Sequence, residues 1–255
     1  MLKLILVGCN GYMGRVVTTI VKNDPDITIT AGVDINTQQL DEYPVYANPA
    51  DIPSNETTEK ADVILDFSIP AALENLLTYA QTTKTPLILC ATGYTQEQIA
   101  NIEEASKTIP IFRSGNMSLG INLLIDLVKR ACAVLGEDFD VEIIERHHRR
   151  KVDAPSGTAL MLADAAAETL PYTPEYIYER ESTRKPRNKN EIGISAIRGG
   201  TTVGVHEIIF AGQDETIDLR HTASSRDIFA TGAIKAAKFI TNKPPGLYTM
   251  KDIFN

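Results

Sequence analysis

The chain has 255 residues, 43% of them hydrophobic and 23% charged, with a formal net charge of −8 and no tryptophan. This is the composition of a globular protein long enough for two ordinary domains, and it excludes a disordered chain. So acidic a balance opposes general nucleic-acid binding, which needs cations to displace counterions from phosphates; an anionic ligand must therefore meet a local basic cluster.

Cys9, Cys90 and Cys132 are too few and too widely spaced for a disulfide framework or a zinc ribbon, and they fit a reducing compartment. Only one lysine precedes the first apolar run, and glycines interrupt that run early, so no signal peptide is expected. No stretch approaches the roughly 18 apolar residues of a membrane span. The expectation is a cytoplasmic protein with neither membrane nor nucleic-acid partners.

In chain order, Leu2–Val7 reads as a strand, Met13–Lys22 as a helix and Ile27–Val33 as a second strand. Glu42–Lys60 is polar and contains prolines, which predicts loop with at most a short helix. Ala61–Phe67 is a strand, followed by a helix over Pro70–Thr83 in which Ser68 supplies the cap and Leu73, Leu76, Leu77 and Ala80 the apolar spacing. Pro86–Ala91 is another buried strand, Thr95 caps a helix over Gln96–Lys107, and Pro110–Phe112 is a short final strand. This alternation predicts a parallel, doubly wound sheet.

After Phe112 the texture changes. An amphipathic helix, Leu119–Leu135, leads to a strand at Asp140–Glu145, a helix around Ser156–Leu170 and a charged stretch, Tyr172–Asn190, that reads as a long exposed loop. Gly193–Arg198, Val205–Ala211 and Thr216–Thr222 are β-rich runs divided by glycine turns, a pattern that predicts antiparallel strands. A last helix, Asp227–Ile240, and a tail close the chain. The fold class expected is α/β: a Rossmann-type domain over 1–117 plus 227–255, interrupted by an inserted α+β domain over 118–226.

Gly8, Gly11 and Gly14 follow an apolar strand and open a helix, where backbone N–H groups at the positive helix end can meet a pyrophosphate. Their spacing is GxxGxxG rather than GxGxxG, and a tight strand-to-helix turn alone would also use them. Asp34 ends the next strand twenty residues after Gly14, placed to accept hydrogen bonds from a ribose. With no arginine or lysine at positions 35 and 36 to hold a 2′-phosphate, its carboxylate predicts NADH as the preferred cofactor, with NADPH possible.

The other informative segment is ERHHRRKVDAPSGTA at Glu145–Ala159. A charge run is ordinarily a solvated surface. Here it follows a hydrophobic strand, Asp153 and Pro155 prescribe a turn, and Ser156-Gly157-Thr158 opens a helix. Helix-start N–H groups and the Thr158 hydroxyl can hold a carboxylate, with Lys151 and His148 supplying positive charge. His147 and His148 lie side by side and point to opposite faces of a strand, without a companion ligand set, so no metal site is expected.

With GCNGYMG at Gly8–Gly14, ERHHRRKVDAPSGTA, and supporting runs at Asp66–Pro70, Gly115–Asn122 and Glu191–Phe210, the chain resembles the 4-hydroxy-tetrahydrodipicolinate reductase (dihydrodipicolinate reductase) family over nearly its whole length. The resemblance implies NAD(P)H-dependent reduction of a small cyclic dicarboxylate in the diaminopimelate route to lysine, and a homotetramer assembled through the open sheet of the inserted domain. It implies His147 as the acid/base histidine, Lys151 as proton donor, and His148, Lys151, Gly157 and Thr158 as substrate contacts. Cofactor contacts carry over to Gly8, Cys9, Asn10, Gly11, Tyr12, Met13 and Asp34, to Cys90, Ala91 and Thr92, and to Ser114, Gly115, Asn116 and Met117. Two segments depart from the family pattern: Cys90-Ala91-Thr92-Gly93 stands where Gly-Thr-Thr-Gly is frequent, and Gly115-Asn116-Met117 where Ala-Asn-Phe is frequent, with Met117 expected to pack against the nicotinamide ring. The alternatives are another amino-acid dehydrogenase of Rossmann build, which would not need the HHRRKVDAPSGTA run, and a non-catalytic nicotinamide sensor, which would not need Lys151 beside a dianion site.

Overall fold

Leu4, Ile5, Leu6 and Val7 are all buried, as a strand covered on both faces requires, and they begin a seven-stranded parallel sheet. The structure is a computed structural model that describes residues 1–53 and 60–254. Among these it divides the chain into two compact units, Met1–Ser118 with the stretch from Asp227 onward, and Leu119–Arg226.

In the first unit β1 (Leu2–Val7) leads through the glycine turn to α1 (Tyr12–Val21) and β2 (Ile27–Val33). The segment expected to be loop contributes a short edge strand, β3 (Val45–Tyr46), and a 3₁₀ turn at Pro49–Asp51; residues 54–59 of it lie outside the described residues. Next come β4 (Val63–Asp66), α2 (Leu73–Thr83), β5 (Leu87–Leu89), α3 (Gln96–Ser106) and β6 (Pro110–Arg113). Thr95 caps α3 as expected, and Gln98 completes a reciprocal capping box with it. Ser68 does not cap α2. Its hydroxyl and N–H both donate to Asp66 Oδ1, at 2.5 and 2.8 Å, and Pro70–Ala72 is a 3₁₀ turn entering the helix.

In the second unit α4 (Leu119–Leu135) is followed by β7 (Asp140–His147), α5 (Gly157–Ala167), β8 (Glu175–Ile177), β9 (Glu191–Arg198), β10 (Gly204–Ala211) and β11 (Thr216–Ala223). The chain ends with α6 (Asp227–Ile240), β12 (Gly246–Tyr248) and α7 (Lys251–Phe254), all assigned to the first unit. The first sheet runs β12-β6-β5-β4-β1-β2-β3, so β6 is not its last strand: β12 adds parallel to it, pairing Leu247 with Ile111. Strand order reverses between β1 and β4, the switch point at which open α/β sheets leave a crevice. Ala230, Ala233, Ala236 and Ala237 bury the small-residue face of α6.

The second sheet is mixed, in the order β11-β10-β7-β9-β8. This corrects the expectation of antiparallel pairing along Gly193–Thr222. Only β10 and β11 form an antiparallel hairpin; β9 pairs parallel with β7, which also pairs antiparallel with β10 and separates the two. The physical reason lies in β7, whose residues alternate half-buried and buried: Val141 and Ile143 face a core with Leu124, Val128, Leu162 and Phe210, so this strand takes the centre. The loop from β9 to β10 then straddles the end of β7, where the Gly199 N–H donates to the His147 carbonyl and the His148 N–H to the Thr202 carbonyl.

The Tyr172–Asn190 stretch is likewise less free than expected. It contains β8, and its arginines are pinned to the sheet: Arg187 pairs with Asp140 and Glu142, both at 2.9 Å, while Arg180 pairs with Glu142 at 2.8 Å and Glu191 at 2.5 Å.

Candidate active site

Along the buried face of β7 the apolar residues give way to Glu145 and then His147, two residues apart and therefore on the same side. Register brings further polar groups to that face: His206 of β10 lies opposite Glu145, Arg198 of β9 opposite His147, and His221 of β11 opposite His206. Glu145 is 0% exposed, yet both its oxygens are used. Oε2 lies 2.6 Å from His147 Nδ1 and 2.7 Å from an Arg198 guanidinium nitrogen; Oε1 accepts from the other terminal nitrogen of Arg198 at 2.6 Å and from the Ser156 N–H at 3.0 Å. Such full pairing is what a buried carboxylate requires.

Ser156 is the N-cap of α5. Its hydroxyl accepts the Ala159 N–H at 3.1 Å and lies 2.9 Å from His206 Nε2, while the His206 and His147 rings meet edge to face with centroids 5.1 Å apart. Burial pushes the Glu145 carboxyl up, but hydrogen bonds from Arg198, His147 and Ser156 outweigh it and hold its pKa below the ordinary value. Burial first, then the charges of Lys151 and Arg198, lower the His147 pKa below its ordinary value against the opposing pull of Glu145. Burial, reinforced by His147, lowers His206 to about 4. Both imidazoles are therefore neutral at pH 7.

Beyond β7, the Lys151 ammonium reaches Asp153 at 2.9 Å, and the carbonyl of Asp153 accepts from Arg198 at 2.7 Å. Gly157 opens α5 as an exposed residue, with no atom within 4 Å of where a side chain would begin. The structure thus brings His147, Lys151 and the Gly157–Thr158 helix start into one unit, anchored by Glu145 and Arg198. His148 follows directly on the end of β7, with its Nδ1 buried without a partner.

The glycine turn in the first unit shows why small residues are needed. Gly8 has φ +73°, and a Cβ there would come within 2.8 Å of the Phe67 carbonyl oxygen; one at Gly14 would come within 2.2 Å of the Gly8 oxygen. Gly11 is the N-cap of α1, so the turn leads into the helix start. Asp34 accepts the Asn10 N–H and the Asn36 N–H, each at 3.0 Å, while Asn10 Nδ2 donates to the carbonyls of Asn36 and Gln38 at 2.6 and 2.9 Å. A cleft of about 440 Å³ beside this turn is lined by Gly8, Asp34, Ile35, Phe67, Ile69 and their neighbours. An apolar cleft ending in a carboxylate beside a glycine-rich helix start fits an adenosine and its pyrophosphate.

The remaining predicted residues divide. The Cys9 side chain is core, packed where a Cβ on Gly32 would touch its sulfur, so only its backbone faces the turn. Tyr12 is exposed and Met13 half-buried. Cys90 and Ala91 sit at the end of β5 with Thr92 exposed after them. Ser114 and Asn116 staple their own turn, Ser114 Oγ donating to the Asn116 carbonyl and Asn116 Oδ1 accepting the Ser118 N–H, both at 2.8 Å. Met117 is 3% exposed, and its carbonyl lies where a Cβ on Gly232 of α6 would collide. Among the described residues no group of three or more His, Cys, Asp and Glu side chains is arranged to hold a metal ion.

Glu145, Arg198, Ser156 and His206 belong to this site without having been singled out as site residues. For Glu145 the signal was available, two positions before His147 on a strand. For Arg198 and His206 it was not, since strand pairing alone brings them in.

The sequence family described as dihydrodipicolinate reductase, N-terminus, matches residues 2–117, and that described as dihydrodipicolinate reductase, C-terminus, matches residues 120–254. The chain is 53% identical over 253 residues to 4-hydroxy-tetrahydrodipicolinate reductase of Caldanaerobacter subterraneus subsp. tengcongensis, covering 99% of this chain and 98% of that one. It is 50% identical over 255 residues to the protein of the same name from Clostridium tetani, covering 100% and 98%. Among solved structures it superposes on dipicolinate-bound dihydrodipicolinate reductase from Paenisporosarcina sp. TG-14 with a TM-score of 0.81 at 25% identity, covering 98% of this chain and 97% of that one.

Proposed function

Since the chain belongs to the dihydrodipicolinate reductase family and reduces 4-hydroxy-tetrahydrodipicolinate on the diaminopimelate route to lysine with NAD(P)H, we propose the following division of work among its residues. The observation that carries it is the Ser156-capped start of α5 beside Lys151 and the Glu145-held His147, a cationic and amide-rich corner suited to a small dicarboxylate. A solved relative was obtained with dipicolinate bound, a planar dicarboxylate of the same class.

The first unit is the dinucleotide-binding domain. The Gly8–Met13 turn presents main-chain N–H groups to the pyrophosphate, Asp34 receives the ribose hydroxyls, and Cys90–Thr92 with Ser114–Met117 border the nicotinamide. A reduced nicotinamide held there would supply the hydride for C4 of the substrate, whose 4-hydroxyl leaves as water. The second unit binds substrate: Gly157 N–H, Thr158, His148 and Lys151 hold the carboxylates so that C4 is oriented, and Lys151 delivers a proton to the neighbouring carbon. Orientation of this kind is worth several kcal/mol, up to roughly 7–11 in favourable systems. Lys151 can trade its Asp153 partner for a substrate carboxylate, because the Asp153 carboxylate is exposed and returns readily to water.

NADH is preferred over NADPH. The Asp34 carboxylate is fixed by two backbone N–H groups and stands against a 2′-phosphate with no cation at positions 35 and 36. The protein is a cytoplasmic homotetramer joined through the open face of the second sheet, where Ser195 and Ile197 are exposed. No helix of the described residues is long and apolar enough to cross a membrane.

The test is turnover with the condensation product of pyruvate and aspartate semialdehyde, NADH and NADPH being compared at matched salt. Lys151→Ala and His147→Ala should each lower kcat by about 100-fold or more while nicotinamide affinity stays within about twofold. Wild-type kcat in either variant removes that residue's catalytic role, and a higher kcat/KM with NADPH overturns the cofactor preference.

A further inference from the structure

We propose that Glu145 is a positioning residue that keeps the ring proton of His147 on Nδ1, so that Nε2 is the acceptor nitrogen, and that the same carboxylate ties this histidine to the anion-binding start of α5. The inference rests on the catalytic reading of His147 and adds what sets that residue's chemistry.

An ionised carboxylate only accepts hydrogen bonds, so the 2.6 Å contact between Glu145 Oε2 and His147 Nδ1 requires the hydrogen to be on Nδ1. The neutral ring then carries its lone pair on Nε2, the nitrogen next to Gly204, where an added Cβ would lie 3.1 Å away. Glycine at 204 keeps that approach open. Held so, His147 is an acceptor in the resting enzyme and not a proton donor, which leaves donation to Lys151.

The second half of the device is Glu145 Oε1, which accepts the Ser156 N–H at 3.0 Å. Ser156 caps α5 and borders the Gly157 and Thr158 amides, so one carboxylate fixes the distance between the histidine and the helix start. Arg198 neutralises the buried charge through both terminal nitrogens and reaches the Asp153 carbonyl, which adds the Lys151 loop to the same frame. The groups facing His147 are Glu145 on its own strand, Lys151 after it, Arg198 on β9 and His206 on β10, with His221 on β11 beyond; of these only Glu145 raises the His147 pKa. Removing its charge therefore moves the protonation of His147 to lower pH.

The wild-type enzyme, labelled with ¹⁵N-histidine, is expected to show His147 with a protonated Nδ1 and a bare Nε2 at pH 7.5. Glu145→Gln should lower kcat at least tenfold, leave the NADH KM within twofold, shift the His147-dependent acid limb of kcat to lower pH and populate the Nε2–H tautomer. A wild-type His147 protonated at Nε2 overturns the proposal, as does a Glu145→Gln enzyme that loses only thermal stability while tautomer and acid limb stay put. Should that variant not fold, the wild-type tautomer decides alone. His147→Ala run in parallel separates the two ideas: full turnover there defeats the catalytic reading, whereas loss of turnover there with unchanged kcat in Glu145→Gln defeats only the positioning role.

Discussion

Asp66 ends β4 only 1% exposed, with Oδ1 occupied by Ser68 and Oδ2 buried without a partner. Burial raises its pKa to about 6, above what the Ser68 hydrogen bonds can recover. Because the folded pKa exceeds the unfolded one, the group favours the fold at pH below about 4, and that contribution is lost as pH rises through about 6. Asp66→Asn should therefore gain stability over wild type at pH 8, by on the order of 2 kcal/mol, relative to their difference at pH 4.5. Urea unfolding at both pH values measures this, and an equal difference at the two would count against the buried charge. At Asp34 the issue is selectivity: Asp34→Asn keeps an acceptor but loses the charge, so the NADPH to NADH ratio of kcat/KM should rise about tenfold, ~1.4 kcal/mol. Asp34 was legible from its spacing after Gly14; Asp66 was not, because its isolation is a matter of what packs around it.

Among the elements, α5 carries the most consequence per residue. Ser156→Ala deletes the N-cap, which costs about 1 kcal/mol, and also takes from His206 Nε2 its hydroxyl neighbour. The expected outcome is a lower unfolding midpoint together with a substrate KM raised more than the NADH KM, read by steady-state kinetics on each substrate. Helices such as α3, α4 and α6 were legible because caps and apolar spacing act within about four residues: Thr95 announces the start of α3. Strand partners were not, since runs of similar composition do not say which neighbours they join. The depth of Val141 and Ile143 sends β7 between β9 and β10. Two glycines at 199 and 200, which looked like a hairpin turn, instead carry the chain across the end of β7.

For the whole molecule, the proposed tetramer predicts a sedimentation mass of about four times the 27.9 kDa chain. Ile197→Glu, on the open face of the second sheet, should lower that mass while leaving α5 and its cap intact; a monomeric wild type would dismiss the assembly. The sequence by itself determined the glycine turn with its acidic partner, the basic run leading into a helix start, and a fold class alternating strand and helix. Each depends on residues close along the chain, where backbone geometry and periodicity act directly. Only the tertiary structure decided that Glu145 would sit between His147, Arg198 and Ser156 with His206 alongside. Arg198 and His206 lie 53 and 61 residues from Glu145, and nothing local couples them. The register of a mixed sheet, set by which faces must be buried, brings them together.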